Sequence, residues 1–245
     1  MASIQDDRGY NQGFKPSKSM DVRMERRCDY MISQMNLTKD GVRILEIGCG
    51  TGEISHFLSQ KTHAEIVGTD LCSPFIESSR KEYSSPNLKY EVLDFNDPES
   101  IRKVVGDEKF DYIVGNGILH HLFYNLDQSL SSINHLLKPD GKMVFLEPNI
   151  LNPYCFLIFT FPFFRKLANL EPDEMAFTKQ LITTKLKATG YNNIKIEHKD
   201  FLIPGTPSFL IKPVIIIGAF IEKIPFLNKW SQSIYVTANK MQKPL

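Results

Sequence analysis

The sequence predicts an α/β fold, a mostly parallel sheet with helices on both faces, on three observations. Five short apolar runs, at 42–47, 65–68, 88–93, 110–114 and 142–146, hold β-branched or aromatic residues and end beside Gly, Asp, Asn or Pro. Amphipathic helical patterns at 52–60, 73–83, 98–105 and 126–137 fill the intervals. Such alternation returns each strand by a right-handed crossover, which builds a parallel sheet covered on both sides. The third observation is a glycine loop: the first strand runs directly into Gly48, Gly50 and Gly52, and a helix follows.

Taken in order, residues 1–41 precede the first strand and hold one predicted helix, 21–36, behind a polar lead that includes Tyr10 and Phe14. The stretch Arg23–Arg27 on that helix reads as a solvated face. Residues 42–149 form the core of alternating strands and helices. An apolar insertion, 150–180, then carries five Phe between Pro153 and Phe164 and an acidic turn at 170–173. The remainder, 181–245, continues a helix predicted over 178–189 and supplies candidate strands at 193–197 and 234–238. Between these strands lies a strongly apolar helical stretch at about 207–226. One domain accounts for all of it.

Composition excludes several classes. Hydrophobic residues at 42% and charged residues at 23% suit neither a disordered nor a fibrous chain. Twenty-nine Lys and Arg against 28 Asp and Glu leave +1, which argues against nucleic-acid wrapping. Cys28, Cys49, Cys72 and Cys155 have neither disulfide-framework nor zinc spacing. The opening residues lack an apolar signal region, and no run is long enough to span a membrane. The expectation is a cytoplasmic protein, with peripheral membrane contact through the apolar stretches as a further expectation.

The glycine loop narrows the ligand. Glycines let a ligand approach the main chain, and the helix behind them offers unpaired N–H groups. Asp70, at the tip of the second strand, is placed to accept both hydroxyls of a ribose. A dinucleotide fingerprint fails because residue 53 is Glu, and a phosphate-cradling P-loop fails because no Lys follows Gly52. An adenosine ligand without a pyrophosphate remains, beside a purely packing role for the glycines. Glu46 is acceptable near the ammonium of such a ligand.

LEIGCGTG at 45–52, GTDL at 68–71, LDFND at 93–97, FDYIVGNGILHHL at 110–122 and LLKPDGKMVFLEPN at 136–149 together resemble the class I S-adenosylmethionine-dependent methyltransferases, small-molecule (ubiquinone-type) branch. The resemblance implies a Rossmann-like seven-stranded, mostly parallel sheet with the last strand antiparallel, here with an apolar helical cap. It also implies S-adenosylmethionine as cofactor and S-adenosylhomocysteine as product. By match, Gly48, Gly50 and Gly52 cradle the methionine end and ribose, Glu46 orients that loop and Asp70 binds the ribose hydroxyls. Leu71 packs on the adenine, Asp94 and the Phe95 N–H meet its edge, and Asn116 lines the methionine side.

Open α/β sheets bind ligands at the carboxyl ends of their strands, where His120, His121, Glu147 and Asn149 lie beyond the cofactor residues. The first three are candidate general bases, and Asn149, Tyr10 and Phe14 are candidate pocket residues. No metal is expected, since the two imidazoles are adjacent in sequence and no acid cluster accompanies them. The Phe-rich insertion suggests a small apolar, aromatic or lipid-linked acceptor, with oxygen favoured over nitrogen or carbon. A homodimer is a further expectation. The rival readings are a catalytically silent, partner-binding subunit and a nicotinamide oxidoreductase. Nucleic acid is not expected as substrate, because Asn116-Gly-Ile-Leu replaces the Asn-Pro-Pro-aromatic motif seen where a flipped base is methylated.

Overall fold

All seven expected strands pair in one sheet in a computed structural model that describes residues 17–171 and 174–242. They are β1 Arg43–Ile47, β2 Glu65–Asp70, β3 Leu88–Val92, β4 Phe110–Asn116, β5 Leu137–Pro148, β6 Tyr191–Lys199 and β7 Ser233–Lys240. Their order is β3-β2-β1-β4-β5-β7-β6. The first five are parallel, and β7 runs antiparallel between β5 and β6. Reversal of strand order on either side of β1 and β4 puts a crevice at their carboxyl ends, where such folds hold ligands.

Nine α-helices are described: α1 Lys18–Ser33, α2 Glu53–Lys61, α3 Ser73–Glu82, α4 Pro98–Val105, α5 Leu126–Leu136, α6 Pro153–Thr160, α7 Pro162–Leu167, α8 Lys179–Ala188 and α9 Ser208–Ile221. Alternate residues of each strand serve opposite layers. Leu45, Ile47, Ile113 and Phe145 join Ile101, Leu130, Ile133 and Ile182 from α4, α5 and α8. Ile44, Ile66, Val114 and Val144 join Cys28, Leu58 and Ile76 from α1, α2 and α3. Full burial of each Leu, Ile or Phe contributes roughly 1.5–3 kcal/mol, so the central strands are the best-anchored part of the fold.

Glu46 shares the α2-facing side with Ile44, so the strand period itself delivers a carboxyl to the buried α2 layer. Gly52, at φ 88°, caps α2 without a side-chain hydrogen bond, which leaves first-turn N–H groups of the helix open. The insertion after β5 folds as the α6–α7 pair and returns through a parallel bridge between Asn149 and Phe177. Tyr10 and Phe14, the expected pocket residues of the polar lead, lie outside the described residues.

Candidate active site

The cofactor residues expected from sequence lie at the carboxyl ends of four neighbouring strands, β3, β2, β1 and β4. Gly48, Gly50 and Gly52 all have left-handed φ, at 68°, 54° and 88°. A Cβ on Gly48 would meet Ile118 at 2.6 Å, and one on Gly52 would meet the Tyr90 hydroxyl at 2.7 Å. A Cβ on Gly50 would meet nothing within 4 Å. Two of the glycines therefore serve close packing, while Gly50 lines open space at the centre of the strand ends.

Asp70 holds that loop. One carboxylate oxygen accepts from the Gly50 N–H at 2.8 Å and the other from the Cys72 N–H at 2.9 Å. Leu71 beside it is 41% exposed, which leaves an apolar face free for a ring. Asp94 is half-buried and accepts from the Asn96 N–H, and the Phe95 side chain is buried beneath. Glu46 is buried and accepts from the Ser55 hydroxyl. Burial pushes its carboxyl up to about 8, so Glu46 is largely protonated at neutral pH until a cation approaches. A ligand ammonium would supply that cation. Open space at Gly50, half-exposed carboxyls at Asp70 and Asp94 and the exposed Leu71 suit an adenosine with an amino-acid tail.

Beyond the loop stands a buried polar cluster. Gly117, at φ 69°, turns the chain out of β4, and its N–H donates to Leu146. Glu147, fully buried near the end of β5, accepts from the Ile118, Leu119 and His120 N–H groups at 3.1, 2.9 and 3.2 Å. It also lies 3.0 Å from His120 Nδ1. Three backbone donors leave the carboxylate as an acceptor, so the proton of His120 belongs on Nδ1 and the lone pair on Nε2. That is the arrangement of an oriented base.

Two acids from the insertion complete the cluster. Glu174 lies 3.7 Å from His120 Nε2 and 3.6 Å from His121 Nδ1, and Glu171 lies 3.7 Å from His121 Nδ1. Burial alone would lower the His121 imidazole. Its hydrogen bond to Glu171 and the charges of Glu174, Glu171 and Glu147 outweigh burial and raise it. The sequence-based premise that no acid accompanies the two imidazoles thus fails in the fold. His120, His121 and Glu174 offer ligand atoms within 4.8 Å of one another, near enough to hold a cation. Neither acid carried a sequence signal beyond an acidic turn fifty residues downstream.

Two expectations are corrected. Asn149 is fully buried and spends its amide on backbone: it donates to the Lys229 and Ser231 carbonyls, each at 2.8 Å, and accepts from the Leu151 N–H. It braces the start of the insertion and is not placed to read a substrate. Arg23 and Arg27 are buried rather than solvated. Both bind Asp200, with contacts of 3.0 and 2.8 Å, and Arg27 also donates to Asn116 and to the Ser233 hydroxyl. Asn116 is therefore held at the tip of β4 by α1, and its amide group also reaches Met24 Sδ at 3.5 Å. Burial alone would raise the Asp200 carboxyl, but the Arg27 and Arg23 guanidiniums hold it below its ordinary value.

Comparison with known proteins agrees with this geometry. The profile of the methyltransferase-domain family matches residues 45–143. Lovastatin diketide synthase lovF from Aspergillus terreus is 31% identical over 64% of this chain, and probable polyketide synthase 32 from Dictyostelium discoideum is 25% identical over 80% of it. The chain spans only 7% of the length of either relative. Among solved structures, a SAM-dependent methyltransferase from Archaeoglobus fulgidus superposes with a TM-score of 0.61 at 19% identity, covering 90% of this chain and 94% of that one. The CurJ carbon methyltransferase superposes with a TM-score of 0.63 at 19% identity, covering 94% of this chain and 57% of that one. The matched profile lies across the glycine loop and strands just described, so residues 45–143 are similar to a methyltransferase domain and the chain as a whole shares the fold of the solved methyltransferases.

Proposed function

We propose that the chain methylates a small, apolar or lipid-linked acceptor whose reacting group must lose a proton, with His120 as the base. The observation that carries this reading is the His120–Glu147 pair, buried and oriented at the strand ends beside the cofactor loop. When bound, the cofactor supplies an electrophilic methyl on a sulfonium and a neutral thioether as leaving group. Glu147 fixes the ring of His120 and stabilises it once protonated. His120 Nε2 takes the acceptor's proton, with the Glu174 carboxylate 3.7 Å away.

Phe159, buried edge-on 6.1 Å from the His120 ring, supports an apolar acceptor, and a hydroxyl oxygen is the methylated atom of this reading. A second reading, a carbon acid beside a carbonyl, is favoured by the polyketide synthases among the relatives and by the CurJ and DszA carbon methyltransferases among the structural neighbours. Asp94 and the Phe95 N–H would meet the adenine, Asp70 the ribose, and Asn116 the methionine end.

Labelled S-adenosylmethionine offered with hydrophobic phenols and with β-keto thioesters tests the reading. Transfer to either class supports it, and the class that is labelled decides the atom. His120→Gln should lower turnover by about 10²–10⁴-fold while S-adenosylhomocysteine still binds. Gly50→Ala should weaken that binding, because a methyl there enters the ligand's space and strains a loop held at a φ of 54°. Cofactor binding with no transfer to any acceptor would favour the silent, partner-binding subunit.

A further inference from the structure

The methyl-transfer site leaves unexplained where the molecule keeps its exposed apolar surface. Of twenty large hydrophobic side chains exposed among the described residues, seven lie in 151–167 and nine in 203–230. Phe163, Phe209, Phe220 and Phe226 are each at least two-thirds exposed. On α9, Phe209, Ile216, Ile217 and Phe220 recur at helical spacing on the side away from the protein, while Ile211 and Gly218 face inward and Gly218 packs on Phe201. A soluble monomer seldom exposes apolar area concentrated in this way.

The two stretches belong to one end of the molecule. The first leaves β5 after Pro148, and the second leaves β6 after Lys199 and enters β7 at Ser233. Ser233 pairs with both Pro148 and Lys199, so both stretches emerge from the same edge of the sheet. They are joined there: Asn152, which caps α6, donates to the Trp230 carbonyl at 2.6 Å, and Cys155 Sγ reaches the Gln232 carbonyl. This is also the edge that carries Glu147 and Asn116.

Charge selects the occupant. Lys166, Lys212, Lys223 and Lys229 are exposed within these stretches, and no exposed acid accompanies them. Their acid Glu222 is turned inward, onto the Asp200 N–H and Lys199. A second copy of the same face would bring lysines against lysines. An anionic surface with an apolar interior answers both features. The α9 helix, fourteen residues or roughly 21 Å long, is too short for a hydrocarbon core of about 30 Å, so it would lie along the surface. Exposed Trp230 and Tyr154 have the amphipathic rings suited to the headgroup region. We propose that α6, α7, α9 and the turn at 227–230 form a docking face for an anionic lipid bilayer, which sets the active-site end of the protein against the membrane.

The test is sedimentation of the full chain with vesicles of phosphatidylcholine alone and of phosphatidylcholine mixed with phosphatidylglycerol, beside light scattering in solution. The proposal expects binding to the mixed vesicles that weakens in high salt. Each contacting lysine is worth about fivefold in affinity, so Lys212→Glu with Lys223→Glu should lose at least twentyfold. Phe163→Ser, Phe209→Ser and Phe220→Ser combined should also release the protein, with an unchanged melting temperature because all three side chains are exposed. Failure of the wild-type chain to sediment with the mixed vesicles overturns the proposal. So does equal sedimentation of wild type and the serine variant. A wild-type dimer that the serine variant turns into a monomer, without vesicle binding, would reassign the face to self-association.

Discussion

Glu147→Gln removes one charge and rearranges four hydrogen bonds without changing the volume of the side chain. The carboxylate accepts from three backbone N–H groups and faces His120 Nδ1. In the variant, the amide oxygen can still serve Ile118 and Leu119. The amide nitrogen then points at two former donors. His120 can adapt by moving its proton to Nε2, but its backbone N–H cannot, and an orphaned buried donor costs about 1–3 kcal/mol. Loss of charge assistance in the bonds that survive adds about 1–2 kcal/mol, for a total of roughly 2–5 kcal/mol. Urea denaturation reads that number, and long-range nitrogen–proton correlation NMR of His120 reads the tautomer. The expected result is a destabilised protein with the proton on Nε2, and therefore no base. A variant as stable as wild type within about 0.5 kcal/mol, with Nδ1 still protonated, would refute Glu147 as the organiser of this turn.

Glu46→Gln should change how stability depends on pH. The folded carboxyl titrates at about 8 against an ordinary 4.5, so the native state binds the extra proton and stability falls as pH rises between those values. Thermal melts of wild type should decline across that window, and those of the Gln variant should stay flatter. Asp200→Asn should cost about 3–5 kcal/mol in a denaturant titration, because it leaves Arg23 and Arg27 buried without their counter-ion. The Asp200 contribution is present above the ordinary 3.8 and is lost as pH falls through its depressed folded value, so the wild-type protein should lose in acid a stabilisation that the variant never had.

The central strands were legible because each is a short apolar run with its own turn residues. The ends of β5 and β6 were not. The strand expected at 142–146 instead begins at Leu137, through Pro139, Asp140 and Gly141, with Asp140 taking a φ of 63° and the pairing with β4 shifting register. The strand expected at 193–197 likewise starts earlier, at Tyr191, with a register shift against β7 at Asn192–Lys195 and Asn193 taking a φ of 47°. In the site, the glycine loop, Asp70, His120 and Glu147 were visible because chain order alone brings them to the strand ends. Glu171, Glu174, Arg27 and Asp200 reach the cluster or the tip of β4 through packing of α1, the insertion and the segment after β6. No local spacing encodes those approaches, and the basic stretch around Arg27 looked like any solvent-facing helix.

The place of β7 in the sheet bears on how the protein is made. Among the described residues β6 pairs only with β7, and β7 also closes the edge of β5. On the ribosome, β1 to β5 can assemble in sequence, while β6 must wait, unpaired, until residues 233–240 emerge. During that interval β5 presents a bare apolar edge beside Glu147, the kind of edge that recruits strands from other chains. Deletion of residues 233–240 would therefore remove an interior strand, not trim a margin. It would strand β6 and take from Arg27 the Ser233 hydroxyl that accepts from it.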